Sequence, residues 1–249
     1  MHANAEIGTI QDIAALARVA AEFDIPFHTD AVASAGQVPI DVKALGVQAL
    51  SLASANFGGP KGAGALYVRK GTKVRPILDG GVQERGLRPG TENVPAIVGM
   101  GAAAEHALAT REQRATTLAT LRDRLIAGVT SRIDRALLTG HADRRLPGHA
   151  SFIIEFIEGE AMLLYLAMKG IAASSGSTCS SKALKASHVL TSIGTPAELA
   201  QGSIVMSLGD DNNADQIDYT VDSLAEVVNK LREMSPLYAK WRKGEPSCT

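Results

Sequence analysis

The sequence predicts an α/β protein in two parts: a partial, mostly parallel sheet with its helices, then a smaller α+β region. Three observations carry this. Short apolar segments that end in polar turns alternate with helical periodicity over roughly the first hundred residues. Near Thr91 the pattern changes to a long Ala- and Leu-rich helical run. The composition is that of an ordinary globular protein, with 45% hydrophobic and 20% charged residues in 249, enough for one large domain or two small ones.

The elements follow in order. After "MHANAEIGTIQD", the residues Ile13, Leu16, Ala17, Ala20 and Phe23 recur at helical spacing. "IPFHTDAVASAG" predicts a short strand ending in a polar turn at His28-Thr29-Asp30, and "VQALSLA" and "GAGALYVRK" predict two more strands. Residues 92–133 form one helical stretch with Pro95 near its start, where a missing N–H costs little. Thr91, Glu92 and Asn93 suit a cap and first turn. "ALLTG" and "HASFIIEFI" precede a helix at "GEAMLLYLAMKG" and a Ser/Gly-rich loop, "SSGSTCSSKALKASHVL". A last strand, "GSIVMSLG", leads to a helix with Ile217, Val221, Leu224, Val228 and Leu231 on one stripe and Asn213 as its cap. The expected organisation is a partial large α/β domain over 1–100, an α+β domain over 101–235 with a cysteine loop at 174–187, and a tail at 236–249. A helix comes first where a strand would normally precede it, so the first part reads as a domain lacking its opening strands.

Charge is nearly balanced, with 25 Lys+Arg against 26 Asp+Glu, which argues against a nucleic-acid surface. No apolar run approaches a membrane span and no signal sequence opens the chain, so a soluble, cytoplasmic protein is expected. Cys179 and Cys248 are the only two cysteines, too few for a disulfide framework. Cys179 lies in the Ser/Gly-rich loop with Lys182, Lys185 and His188 near it, and positive neighbours favour the thiolate. Cys248 sits in the charged tail and reads as incidental. Tyr238 and Trp241 either pack the last helix or anchor a partner.

"HANAEIGTIQDI", "FHTDAV", "GPKGAGALYVRK", "GGVQERGLRPGTENVPAIVGMG", "LPGHASF", "SSGSTCSS" and "SHVL" occur in this order along nearly the whole chain. Together they resemble the cysteine desulfurases of the NifS/IscS type, in the class V aminotransferase group of pyridoxal-phosphate (PLP) enzymes. The resemblance implies a partial PLP-dependent transferase large domain (aspartate aminotransferase, type I) with a smaller C-terminal α+β domain. About the first third of the family's length has no counterpart. The resemblance also implies the chemistry: a lysine holds PLP as a Schiff base, an aspartate keeps the ring nitrogen protonated, and a loop cysteine takes sulfur from free cysteine to leave alanine and a persulfide. It implies a homodimer and delivery of sulfur to an iron–sulfur scaffold or another acceptor.

Carried over residue by residue, the resemblance gives Asp30 as the ring-nitrogen partner, Thr91 as the residue reaching a phosphate across the dimer, and Cys179 as the persulfide cysteine. The departures are as specific. Asn56 stands where the Schiff-base lysine belongs, Ala55 for the preceding histidine and Ala53 for a phosphate-binding serine. Ala5 replaces an asparagine, Ala33 a glutamine, Val205 the substrate-gripping arginine and Asp210 a second arginine. An isopropyl group cannot replace a bidentate guanidinium, and Lys61 corresponds to a different lysine of the family.

The expectation is therefore a desulfurase-like protein of sulfur transfer or iron–sulfur assembly, degenerate at the PLP site, with no covalent cofactor. It would act through Cys179 as sulfur acceptor or cluster ligand, leaving Asp30 and Thr91 vestigial. Two alternatives stand beside it: a genuine desulfurase completed by a separate N-terminal half or partner, and a non-catalytic structural subunit.

Overall fold

A computed structural model describes residues 1–176 and 186–244. The chain forms two compact units, Met1–Asn4 with Ile10–Ala115, and Ala5–Thr9 with the residues from Thr116 onward.

The first unit is built on a three-stranded sheet in the order β1 (His28–Asp30), β2 (Ala49–Ala53), β3 (Gly64–Val68). Helix α1 (Ile13–Glu22) starts where the Asp12 carboxylate accepts from the Ala15 N–H, 2.9 Å away. Its Ile13 and Ala17 pack with Ala31, Val47 and Leu50, flanked by Leu52 and Tyr67, so one face of the sheet is covered by α1 and the 31–46 connection. Two expectations are corrected here. His28-Thr29-Asp30 is a strand rather than a turn, because parallel pairing with Ala49, Leu50 and Ser51 satisfies its backbone and buries the β-branched Thr29. Nor is the sheet mostly parallel: β3 pairs antiparallel to β2, since the short connection between them is too brief for a crossover.

Helix α2 (Val94–Arg132) contributes its first part to this unit. Its leading cap is Asn93, whose Oδ1 accepts from Ala96 N at 3.2 Å, rather than Thr91. Ala107, Met100 and Ala103 of α2 pack with Phe57 and Ala35.

The second unit holds an antiparallel sheet, β4 (Ala136–Leu138), β5 (His149–Ile154) and β6 (Ser203–Ser207), with β5 in the centre. One face carries Phe152, Ile154, Ile204 and Met206. It packs against α3 (Gly159–Met168), α6 (Ala214–Glu233) and the later turns of α2 through Met162, Leu166, Leu224, Val228, Leu125 and Val129. The stripe predicted for α6 is the buried one, and Asn213 closes a full capping box with Gln216. The other face packs Ile153 against Ile7, Leu190 of α4 (His188–Ser192) and Ala200 of α5 (Ala197–Ala200). Helix α7 (Pro236–Arg242) follows α6. Tyr238 and Trp241 stack on each other, both meet Phe156 at a tilt, and they sit near the Arg232 and Arg135 guanidiniums, so they pack their own unit. No helix among the described residues is long and apolar enough to cross a membrane.

Candidate functional site

In the first unit, β1 and β2 run parallel, so both strands present their carboxyl ends at one side of the sheet. In open α/β sheets that is where ligands are met. Asp30 closes β1 opposite Ser51 of β2, and its Oδ1 accepts from the Val32 N–H at 2.7 Å. Two residues before it, His28 Nε2 is hydrogen-bonded to Ser51 Oγ at 3.1 Å. Ala33 follows in the connection, with its carbonyl accepting from Gln37 Nε2.

Strand β2 ends at Ala53 and turns at once into a single 3-10 turn, Ser54–Phe57, closed by Gly58 in the left-handed region (φ 89°). Phe57 is buried and pins the turn; Ala55 and Asn56 are exposed beside it. The turn leaves no room for a side chain at Gly59, where a Cβ would overlap Ser54 Oγ and press on the Ser54 carbonyl. Asp30, Ala53, Ala55 and Asn56 are thus gathered at one end of one sheet. Thr91 lies exposed three residues before α2. Lys61 falls beyond the Gly58 turn, in the connection to β3.

The second unit brings together the residues that flank 177–185. Ala5–Thr9 lies along β5. The Ala5 carbonyl accepts from His149 Nε2 at 2.9 Å, and Arg145 donates to the carbonyls of Ile7, Thr139 and His149. Burial holds His149 down to about 4 and lowers Arg145 to about 10. Val205 on β6 is buried, on the face opposite the main core, and exchanges backbone bonds with Ser174. Two residues on, the Gly176 N–H donates to Ser203 Oγ at 3.3 Å. On the far flank Ser187 caps α4, accepting from Val189 and Leu190 N–H.

Glu6 ties these flanks together. The Ser187 hydroxyl bonds to its carboxylate, and any Cβ on Gly176 would overlap Glu6 Oε1. Burial raises the Glu6 pKa, with Ser187 and His188 opposing that shift. In sequence nothing singles out Glu6, and His149, without ligand spacing, reads as an ordinary polar position, whereas the structure buries it. The signal available was a charged residue inside "NAEIG" and a histidine opening an otherwise apolar strand. Cys179 and Cys248 lie outside the described residues. Among the described residues, no cluster of three or more His, Cys, Asp or Glu side chains is placed to hold a metal ion.

Comparison with known proteins fits this arrangement. The family described as aminotransferase class-V matches residues 1–220. The chain is 52% identical over 240 residues to a cysteine desulfurase IscS of Methanosarcina thermophila, covering 96% of this chain and 59% of that relative. It is 46% identical over 247 residues to a cysteine desulfurase IscS of Dictyoglomus turgidum, covering 99% of this chain and 63% of that one. A solved structure titled NifS-like protein superposes with a TM-score of 0.84 at 34% identity, covering 93% of this chain and 60% of its own. The chain therefore spans about three-fifths of the length of the relatives it matches. With its motifs in family order on a matching fold, the chain belongs to the aminotransferase class-V family, alongside relatives named as cysteine desulfurases.

Proposed function

We propose that this chain is a sulfur-transfer protein of the cysteine desulfurase group that does not hold PLP as a Schiff base and works through Cys179. The observation that carries the reading is the end of β2. Its turn presents Ala53, Ala55 and Asn56, and no amine. An amide nitrogen shares its lone pair with its carbonyl, so Asn56 cannot condense with an aldehyde. In the second unit the buried position on β6 is Val205, which offers a substrate carboxylate no charge. These residues do not fit a covalently held PLP, and no step is derived through it. Asp30 and Thr91 are, on this reading, vestiges of a cofactor site.

Cys179 then acts as an acceptor. Its thiolate attacks the outer sulfur of a donor persulfide, forming a new S–S bond as the donor's S–S bond breaks. The donor leaves as a thiolate, and the sulfur passes on to an iron–sulfur scaffold or other acceptor; ligation of a cluster is the related role. Lys182, Lys185 and His188 follow Cys179 closely in sequence, and positive neighbours favour a thiolate. A homodimer fits the 71–93 connection, where Ile77 is 95% and Val82 87% exposed and Glu84 and Arg85 both hold positive φ. Exposed apolar side chains on a strained backbone are what a partner surface would cover.

The test is chemical. The purified chain is incubated with PLP, reduced with borohydride and mapped by mass spectrometry, and alanine release from L-cysteine is measured in parallel. The expected result is no pyridoxyl-lysine, no alanine, and one sulfur gained at Cys179 from a donor persulfide. A pyridoxyl group on any lysine, or cysteine-dependent alanine, would restore the genuine desulfurase. Sulfur uptake unchanged by Cys179→Ser would leave a structural subunit.

A further inference from the structure

The segment Ala5–Thr9 is anchored on both sides of Glu6. The Ala5 carbonyl accepts from His149 Nε2 at 2.9 Å, and the Ile7 carbonyl accepts from Arg145 Nη2 at 3.2 Å. Both of these cation-forming side chains are buried, and Ile7 itself packs with Ile153, Leu190 and Ala200. The Glu6 side chain therefore leaves a backbone that is fixed before it and after it, so its direction is set by the fold of the second unit.

The carboxylate meets two segments that are separate in sequence. On one side is Gly176, where any Cβ would overlap Glu6 Oε1. Gly176 is tied to β6 through its N–H to Ser203 Oγ, and Ser174 before it exchanges backbone bonds with Val205. On the other side is Ser187, buried, whose hydroxyl bonds to the Glu6 carboxylate while accepting from the Val189 and Leu190 N–H groups at 3.1 and 3.3 Å. A hydroxyl has one proton to give. With both N–H groups donating to Ser187, the carboxylate is what receives that proton and orients the cap of α4. An apolar side chain at position 6 could fill the same space but could not accept it.

We propose that Glu6 is a positioning residue: it pins Gly176 and Ser187 on either side of residues 177–185 and thereby sets the reactivity of Cys179. That Cys179 is the working thiol rests on the sulfur-transfer reading; the pin itself does not. Cys179 is three residues past Gly176, a span of at most about 11 Å of chain, so fixing Gly176 bounds where the thiol can lie. The pin also answers to protons. Burial raises the Glu6 pKa, with Ser187 and His188 opposing. The pinned arrangement therefore binds the proton more tightly than a released one, so pinning is favoured at low pH and loosens as the pH rises through the folded pKa. The titratable groups around Glu6 are His188 of α4, which acts on it directly, and His149 and Arg145, which hold the neighbouring carbonyls. From β6 the contact is through neutral Ser203.

The experiment measures amide exchange and iodoacetamide alkylation on the full chain, with Cys179 read on its own peptide. No PLP, free cysteine or sulfur donor is added, so failure of the pin and failure of the sulfur-transfer reading show separately. Glu6→Ala should speed exchange at Gly176, Val189 and Leu190 by about tenfold, the worth of one hydrogen bond to a charged group. It should change the alkylation rate of Cys179 by about threefold or more, while Leu224 in α6 keeps its protection. Glu6→Gln, which keeps the acceptor and the size, should restore both. Between pH 5 and pH 8 the corrected protection of the three amides should fall in the parent relative to Glu6→Gln. Gly176→Ala, which drives a methyl group against the carboxylate, should behave as Glu6→Ala does and decides the matter if Glu6→Ala also loses protection at Leu224. The proposal is overturned if the flanking amides stay protected in both alanine variants, if they are freed with Cys179 alkylation unchanged, or if Glu6→Gln matches Glu6→Ala at every pH.

Discussion

Strands β2 and β5 read alike in sequence and meet different fates. "ALSLA" and "HASFII" are both short apolar runs of the kind that lie inside a domain. Every residue of β5 is buried, with Phe152 and Ile154 against α3 and α6 and Ile153 against Ile7 and Leu190. In β2 only Leu50 is buried, because α1 covers one face and nothing described covers the other. An apolar run specifies that a strand wants two covers, while the supply of those covers depends on residues far away in the chain. Among the described residues, the second unit covers both faces of its sheet, and the first covers one.

The largest expected effect tests that contrast directly. Phe152→Ala in the second unit removes a fully buried ring from the main core and should cost about 3–5 kcal/mol in urea unfolding. Leu66→Ala on the open face should cost less than about 0.5 kcal/mol, the usual range for an exposed side chain. Comparable losses at the two positions would mean that Leu66 is packed in solution and that the first sheet is covered after all.

The next effect depends on pH and belongs to the second unit. His149 is 4% exposed, donates Nε2–H to the Ala5 carbonyl, and is held by burial at about 4 against an ordinary value of 6.5. Its folded pKa is lowered, so between those values the unfolded chain binds the proton and the folded chain does not. Stability from this group is complete above about pH 6.5 and falls as the pH drops toward 4, by roughly 3 kcal/mol in all. Unfolding free energies measured at pH 7 and pH 4.5 for the parent and for His149→Gln should diverge, with the flatter profile in the variant. His2 in the first unit is also lowered by burial and acts in the same direction, which is why the difference between the two profiles is the quantity to read. Equal slopes would show that the imidazole is open to water.

Local rules made much of this legible. Helical periodicity gave α1 and α6, the Asn213 cap followed from residue type, and the long run from Glu92 became α2 with Pro95 in its first turn. What depends on pairing was not legible. Nothing in "FHTD" announces that Ala49–Ser51 will draw it into a strand, and nothing in "GAGALYV" fixes the direction of β3 until the short connection to β2 is known. Of the site, the turn at Ala53–Asn56 and its lack of an amine were readable from residue identity alone. Glu6 was not, because its importance arises from two segments, Gly176 and Ser187, that are distant in sequence.

The smallest effect compares two buried serines, one from each unit. Ser151 on β5 is partnered by Thr139 Oγ1 at 2.5 Å, so Ser151→Ala strands the threonine hydroxyl and should destabilise by about 1–2 kcal/mol. Ser54, the first residue of the turn after β2, is fully buried, and its hydroxyl finds no partner among the described residues. Removing an unsatisfied buried hydroxyl relieves its desolvation, so Ser54→Ala should stabilise by about 1 kcal/mol, read as a rise in the urea midpoint at constant m-value. The sign is what matters. A loss of stability on Ser54→Ala would mean that the hydroxyl is satisfied in solution, by water or by another group at the carboxyl end of β2, and that its desolvation is not the balance that decides this position.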